Sequence, residues 1–304
     1  MLPFKSLISS HQLTPDTVAT IFESAHKMQT AIESKGRVGS LENAIVALLF
    51  FEPSSRTMLS FQSAAQRLNA GTIFAQNATS TSFEKGESLE DLIRIVAGYS
   101  DIIVMRHAQP GSAQMAADCS DVPFINAGDG GNEHPTQALI DAFTIEKHIG
   151  RLDNLKIVFG FDSLQSRSIH SLTRLLSQYP NNEFSFMGPS ELAPPPAMIS
   201  ELEAAGVRCT QIKGLPDKLD YDVVYVNRLQ EERFADKSIF DKHRRFYRLS
   251  YDMVAATQAL ILDPLPRIDE IDVTADDLPN AVYFQQASYG VPVRMALLSL
   301  MLSN

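Results

Sequence analysis

The sequence is poor in cysteine. Only Cys119 and Cys209 occur in 304 residues, with no paired spacing. That argues against a disulfide scaffold and a cysteine-based zinc site. Long apolar runs are also missing. The longest plain one covers residues 44–51, far short of the ~20 needed to span a bilayer. The start, Met1-Leu2-Pro3-Phe4-Lys5, lacks the charged head and apolar run of a signal peptide. The expectation is a cytoplasmic protein with no membrane partner. There is no excess of positive charge either: the formal net charge is −10. Non-specific nucleic-acid binding needs a basic face, so nucleic acid is not an expected partner. An anion site would have to be built locally, against the overall field. Several chemical signatures are missing too: GxGxxG, a Walker-type lysine loop, a G-x-S-x-G elbow and HExxH. Metal ligands do not cluster in the sequence, and no cofactor is expected.

What the chain does have is enough apolar residue for sizeable cores, 44%, with 20% charged. Its length suits two ordinary domains or one large α/β domain. Thr14-Pro15 reads as an N-cap and first helical residue, with Val18, Ile21, Phe22, Ala25 and Met28 following at helical spacing. Residues 44–51 read as a buried strand, and Met58, Phe61, Ala65 and Leu68 restart a helix. Strands are expected at 72–75 and 102–105, separated by a helix that Ser88 and Asp91 open. Pro135 opens another helix. The pattern restarts around Gly150, with strands expected at 155–159, 184–187, 207–212, 222–226 and 260–262 and helices around Ile169 and after Pro194-Pro195-Pro196. Residues 293–300 form a closing apolar helix. Such alternation implies parallel βαβ units. The fold class expected is α/β, with two doubly wound domains, each around a central, mostly parallel sheet, and a break near residue 150.

Anion-binding groups recur at the expected strand ends. Phe51-Glu52-Pro53-Ser54-Ser55-Arg56-Thr57 combines hydroxyls and a guanidinium with a helix start, where free N–H groups favour negative charge. Read alone it is either a polar cap or a phosphate site, and the arginine favours the latter. Ser82-Phe83-Glu84-Lys85-Gly86-Glu87 reads alone as an ordinary solvated loop, although its lysine could close over a ligand. Arg106 and His107 follow a strand, where ligands bind in open α/β sheets. His134-Pro135-Thr136-Gln137 stands at a helix start, where the dipole keeps an imidazole neutral and able to donate to a carbonyl oxygen. Arg167 and Arg228, the latter with Gln230, could hold a dicarboxylate, though each alone is more often a surface ion-pair partner. Asp263-Pro264-Leu265-Pro266-Arg267 leaves carbonyls able to accept from a ligand amide. The set fits group transfer from a phosphorylated donor to an anionic acceptor by positioning and electrostatics.

In order and spacing these motifs resemble the aspartate/ornithine carbamoyltransferase family over almost the whole chain. Ser54-Ser55-Arg56-Thr57 is similar to its Ser-Thr-Arg-Thr signature, and Ser168-Ile169-His170-Ser171-Leu172 and Tyr283-Phe284-Gln285-Gln286-Ala287 also match. Thr136 and Asp263 to Pro266 point to the aspartate branch, since the ornithine branch carries cysteines in these motifs. The resemblance implies two domains, residues 1–150 with a returning helix at about 290–304 for carbamoyl phosphate, and 151–289 for L-aspartate. It implies that Ser54, Ser55, Arg56 and Thr57 hold the phosphate, and that Thr57, Arg106 and His134 polarise the carbonyl. Gln137 and the carbonyls of Pro264 and Leu265 would hold the carbamoyl amide, while Arg167, Arg228 and Gln230 hold the aspartate carboxylates. Ser82 and Lys85 would reach a neighbouring subunit's site, which implies a homotrimer. Regulatory chains or a dihydroorotase partner are left open. Departures from the family pattern are Ser55, Met58, Leu164-Gln165 and Asp263, which stands where a histidine is usual. Asp263 is expected to be a structural acceptor turned from the ligand. The alternatives are a transcarbamoylase for another amine and a catalytically silent scaffold.

Overall fold

A computed structural model describes residues 2–34, 38–76, 86–216, 218–229, 231, 236–244 and 247–303. The chain divides into two compact units, Met1–Ile140 with Ser288–Asn304, and Asp141–Ala287. Each unit holds its own parallel sheet.

The first sheet has the order β2-β1-β3-β4, with β1 at Ile45–Phe50, β2 at Gly71–Gln76, β3 at Ile102–His107 and β4 at Phe124–Asp129. β1 is buried from Val46 to Phe50, as expected of an interior strand covered on both faces. β2, at the edge, is largely exposed. Parallel neighbours need crossovers, and helices supply them: α2 (Ser55–Arg67), α3 (Leu89–Ala97) and α4 (Ser112–Cys119). Ala47, Leu49, Ile103 and Met105 pack on one face with Ile93, Val96 and Ala116. Helix α1 (Pro15–Glu33) begins as its sequence predicts, with Pro15 at its start and the Thr14 side chain accepting from Thr17 N.

The second sheet has the order β7-β6-β5-β8-β9. Its strands are β5 (Lys156–Gly160), β6 (Glu183–Met187), β7 (Arg208–Ile212), β8 (Val223–Val226) and β9 (Leu260–Leu262). All ladders between these strands are parallel. Val158, Val224, Val226 and Ile261 face a core completed by Phe161, Leu249, Ile271 and Tyr283.

Some elements were not legible. α4 and β4 fall in a stretch with no clear period. β4 is buried throughout, yet it carries Asn126 and Asp129, and those polar residues mask a buried strand. The final helix runs Tyr283–Leu302 rather than starting near Val293, with Pro292 inside it. Its first turns mix Gln285, Gln286 and Ser288 with aromatic residues, without a clear helical stripe, and the proline reads as a breaker. Gly150, at φ 82°, marks the end of α5 (Pro135–Ile149). The second unit opens inside that helix at Asp141, whose carboxylate bonds to Tyr225 and Gln286 of the same unit.

Candidate functional site

Strand order places the candidate residues. In the first sheet β1 lies between β2 and β3, so the connections leaving β1 and β3 diverge on either side. That is a topological switch point, where open α/β sheets bind ligands at the carboxyl ends of strands. Ser54 to Thr57 follow β1, and Arg106 ends β3. The two strand ends are tied by a bond from Phe51 N to Arg106 O of 2.9 Å.

Ser54 is the N-cap residue of α2, yet its side chain makes no capping bond. The first-turn amides have no acceptor within the helix by geometry. Beside them Ser55 and Arg56 are exposed, whereas Thr57 is buried. Arg106 is ion-paired with Glu52 at 3.2 Å, the side chains 12% and 23% exposed. An anion reaching Arg106 must therefore compete with a carboxylate from the same motif as Ser54. His107 Nδ1 accepts a hydrogen bond from Gln109 N, 3.0 Å. Burial holds its pKa below the ordinary histidine range, against the opposing charges of Glu52 and Asp129.

The loop after β4 aims His134. Asp129 is buried, and its carboxylate accepts from Gly111 N, Asn126 Nδ2, Asn132 Nδ2 and Glu133 N, all at 3.0–3.1 Å. Glu133 in turn accepts from Ser9 Oγ at 2.7 Å and Ser10 N at 3.0 Å. Gly130 sits at φ 57°, where a Cβ would lie 2.7 Å from Ala108 O. Only glycine fits so close to β3's exit. With its neighbours fixed, His134 is buried at the start of α5, its Nδ1 3.3 Å from Thr136 Oγ1. Gln137 N bonds back to His134 O at 2.9 Å. Sequence reasoning assigns no role to Glu52, Asp129 or Glu133, whose partners include Arg106, Gly111 and Ser9, residues far away in sequence.

The second sheet has its own switch point, between β5 and β8. Arg167 opens helix α6 (Arg167–Leu176) after β5, and Arg228 follows β8. Arg167 is buried, and its helix is capped by Ser166, which accepts from Ile169 N. The strand ends are joined by Asn227 N to Gly160 O at 2.7 Å and Asn227 Nδ2 to Asp162 O at 3.4 Å. Arg228 Nη1 donates to Leu229 O at 3.3 Å.

After β9, Leu265 adopts φ 60°, a left-handed conformation that costs a non-glycine residue roughly 1–2 kcal/mol. The turn is held by Asp263 Oδ1, which accepts from Leu265 N at 2.5 Å, and by Gln286 Oε1, which accepts from Asp263 N at 3.0 Å. A buried polar chain continues from there. Gln286 Nε2 donates to Asp141 Oδ1 at 2.6 Å, and Tyr225 Oη donates to Asp141 Oδ2 at 2.9 Å. The Tyr225 hydroxyl also bonds Ser168, next to Arg167. Burial and the adjacent Asp141 carboxylate push the tyrosine's pKa well up. At the far end of the turn, Arg267 pairs with Asp276, donates to Tyr283 Oη at 3.0 Å and lies over the Tyr283 ring. That cation holds the Asp276 carboxyl below its ordinary range.

Ser54 to Thr57 and Arg106 thus come together in the first unit, with His134 and Gln137 at the neighbouring strand exit. Arg167, Arg228, Pro264 and Leu265 lie at strand exits of the second. Ser82, Lys85 and Gln230 lie outside the described residues. Among the described residues no group of three or more His, Cys, Asp or Glu could hold a metal ion, and no helix is long and apolar enough to cross a membrane.

The chain also matches known proteins over both units. Residues 5–147 match the aspartate/ornithine carbamoyltransferase carbamoyl-P binding domain, and residues 153–301 match the family's Asp/Orn binding domain. The chain is 43% identical over 301 residues to the aspartate carbamoyltransferase catalytic subunit of Methanocaldococcus jannaschii, covering 99% of this chain and 98% of that one. A crystal structure of the M. jannaschii catalytic subunit superposes with a TM-score of 0.92, at 43% identity, covering 99% of this chain and 98% of that one. Aspartate transcarbamoylase from Trypanosoma cruzi, solved in complex with carbamoyl phosphate and aspartate, gives a TM-score of 0.93 at 33% identity, covering 98% and 97% of the two chains. The chain belongs to the aspartate/ornithine carbamoyltransferase family.

Proposed function

We propose that this chain is an aspartate carbamoyltransferase catalytic subunit. It transfers the carbamoyl group of carbamoyl phosphate to the amino group of L-aspartate, giving N-carbamoyl-L-aspartate and phosphate for pyrimidine biosynthesis. The observation that carries this reading is the placement of anion-binding groups at both switch points: Ser54 to Thr57 with Arg106 in one unit, Arg167 and Arg228 in the other. Full-length identity to aspartate carbamoyltransferase catalytic subunits supports it.

In this reading residues 1–150 with 290–304 serve the donor, and 151–289 serve the acceptor. The first-turn amides of α2, with Ser54, Ser55, Arg56 and Thr57, hold the phosphate. Arg106 exchanges Glu52 for the donor. The Thr136 hydroxyl donates to His134 Nδ1, which leaves the imidazole proton on Nε2 to bond the carbonyl oxygen. Gln137 and the carbonyls of Pro264 and Leu265 orient the carbamoyl amide. Arg167, Arg228 and Gln230 bind the two aspartate carboxylates. The uncharged amine attacks the carbonyl carbon and the C–N bond forms. Thr57, Arg106 and His134 stabilise the oxyanion. The C–O bond to phosphate then breaks, and the leaving phosphate takes the amine proton.

A homotrimer with shared active sites completes the proposal, with Ser82 and Lys85 serving a neighbouring subunit. Its support is exposed large apolar side chains on the first unit: Leu59, Ile73 and Phe74 are 56%, 37% and 64% exposed on α2 and the edge strand β2, and an interface between copies would cover them. Light scattering should give three times the chain mass of 33.6 kDa. An acceptor panel tests the reaction itself. Turnover with L-aspartate and none with ornithine is expected, and turnover with ornithine alone would overturn the acceptor assignment.

A further inference from the structure

Two carboxyl groups of the second unit have no place in the proposed chemistry, yet both are almost wholly buried. Asp263 is 2% exposed and Glu270 is 2% exposed, at the two ends of the Pro264-Leu265-Pro266-Arg267 turn. Buried carboxyl oxygens need donors. Asp263 Oδ1 accepts from Leu265 N at 2.5 Å. Glu270 Oε2 accepts from Ile268 N and Asp269 N, both at 2.9 Å. The remaining oxygens, Asp263 Oδ2 and Glu270 Oε1, are buried, and among the described residues no N–H or O–H donor reaches either. The two side chains are within hydrogen-bonding reach of each other. Two carboxylates facing each other leave two acceptors unsatisfied and two like charges in contact. One proton between them cures both faults.

We propose that Asp263 and Glu270 share a single proton, and that this pair is a positioning device which sets the backbone turn at Pro264 and Leu265. The arrangement closes on itself. Asp263 Oδ2–H donates to Glu270 Oε1. The other two oxygens gather the amides of residues 265, 268 and 269, so every oxygen is bonded and the turn is stitched at both ends. Desolvation and the neighbouring Glu270 charge both hold the Asp263 proton in place well above the ordinary carboxyl range. The other ionisable groups around it are Arg267, itself occupied by Asp276 and Tyr283, and the two phenols Tyr225 and Tyr283. None of these supplies a donor that would replace the proton. Asp263 touches no substrate in this account. It acts through the Leu265 amide, and so through the carbonyls on either side of it.

The sign of the pH effect follows. The folded chain keeps a proton that the unfolded chain gives up near the ordinary aspartate value of 3.8. This contribution to stability is complete below that value and declines as pH rises towards the raised folded value. Asp263→Asn carries a permanent donor and keeps the acceptor for Leu265 N. Glu270→Gln likewise donates to an ionised Asp263 while its carbonyl keeps Ile268 N and Asp269 N. Only the kinetic part of the proposal rests on Pro264 and Leu265 orienting the carbamoyl amide.

The experiment compares wild type, Asp263→Asn, Asp263→Ala and Glu270→Gln by thermal melts from pH 5 to pH 9 and by steady-state kinetics. The melting temperature of Asp263→Asn relative to wild type should rise by several degrees across that range, with Glu270→Gln behaving alike. An infrared carbonyl band of a protonated carboxyl should be present in wild type and missing in Asp263→Asn. Asp263→Ala should lose about tenfold or more in kcat/KM for carbamoyl phosphate with the KM for aspartate little changed, and Asp263→Asn should recover most of that loss. Parallel melting curves, or no such infrared band, would overturn the shared proton. Equal impairment of the Ala and Asn variants would overturn its positioning role. An inactive wild type that still shows the pH-dependent melt would instead count against the proposed function and leave the pair standing.

Discussion

The two units solve the same problem with different materials. Each has a parallel sheet whose strand order reverses, and each presents cationic side chains at the reversal. In the first unit the groups are local in sequence. The amides of α2, the hydroxyls of Ser54, Ser55 and Thr57, and Arg56 come from one short segment, and Arg106 is held by Glu52 from the same segment. In the second unit Arg167 and Arg228 come from separate segments, and the turn at Leu265 is held by buried side chains far apart in sequence. Asp141 accepts from both Tyr225 and Gln286, and Gln286 reaches Asp263. A site for a small, highly charged group can be built from a helix start. A site that must hold a longer acceptor at fixed spacing needs a frame beneath it.

Mutations can break this comparison. The largest effect is expected at Arg106. Arg106→Ala removes a donor to the developing charge, so kcat should fall about a hundred- to a thousandfold in steady-state assays. His134→Ala should lower kcat by about a hundredfold while changing carbamoyl phosphate affinity far less. Unchanged turnover would remove the role given to His134. Arg228→Ala belongs to the other unit. It should raise the KM for aspartate by roughly thirty- to a hundredfold, the worth of a charge-assisted pair, and leave binding of carbamoyl phosphate, followed by calorimetry, within about twofold.

Stability should divide the units again. Asp141→Ala strips a carboxylate from two buried donors and should cost about 3 kcal/mol in denaturant melts. The smallest effects sharpen the comparison most. Ser166 caps α6 and Ser54 caps nothing. Ser166→Ala should cost about 1 kcal/mol of stability, whereas Ser54→Ala should cost almost none and instead weaken binding of inorganic phosphate. A stability loss at Ser54 equal to that at Ser166 would mean that the α2 start is an ordinary cap.

Legibility followed the same division. Continuous apolar runs such as Ile45–Phe50, and signals such as Thr14-Pro15 and Ser88, led directly to β1, α1 and α3, because period and capping act over a few residues. β4 was missed because Asn126 and Asp129 serve the loop bonding beyond it. Ser54 to Thr57, Arg106, His134, Arg167 and Arg228 stand out because charge beside an apolar strand is unusual. Asp141, Tyr225, Glu270 and Gln286 did not, since their partners are 23 to 145 residues away or are backbone amides. Asp263 stands out in the sequence as a departure from the family's histidine. Its partner Glu270 emerged only from the three-dimensional arrangement.

The most direct test of the central claim is product stoichiometry with purified protein, carbamoyl phosphate and L-aspartate, reading ureido product and released phosphate in the same reaction. Equal amounts of N-carbamoyl-L-aspartate and phosphate, both abolished in Arg106→Ala, are predicted. Phosphate released without ureido product, or neither formed by the assembled protein, would contradict the account.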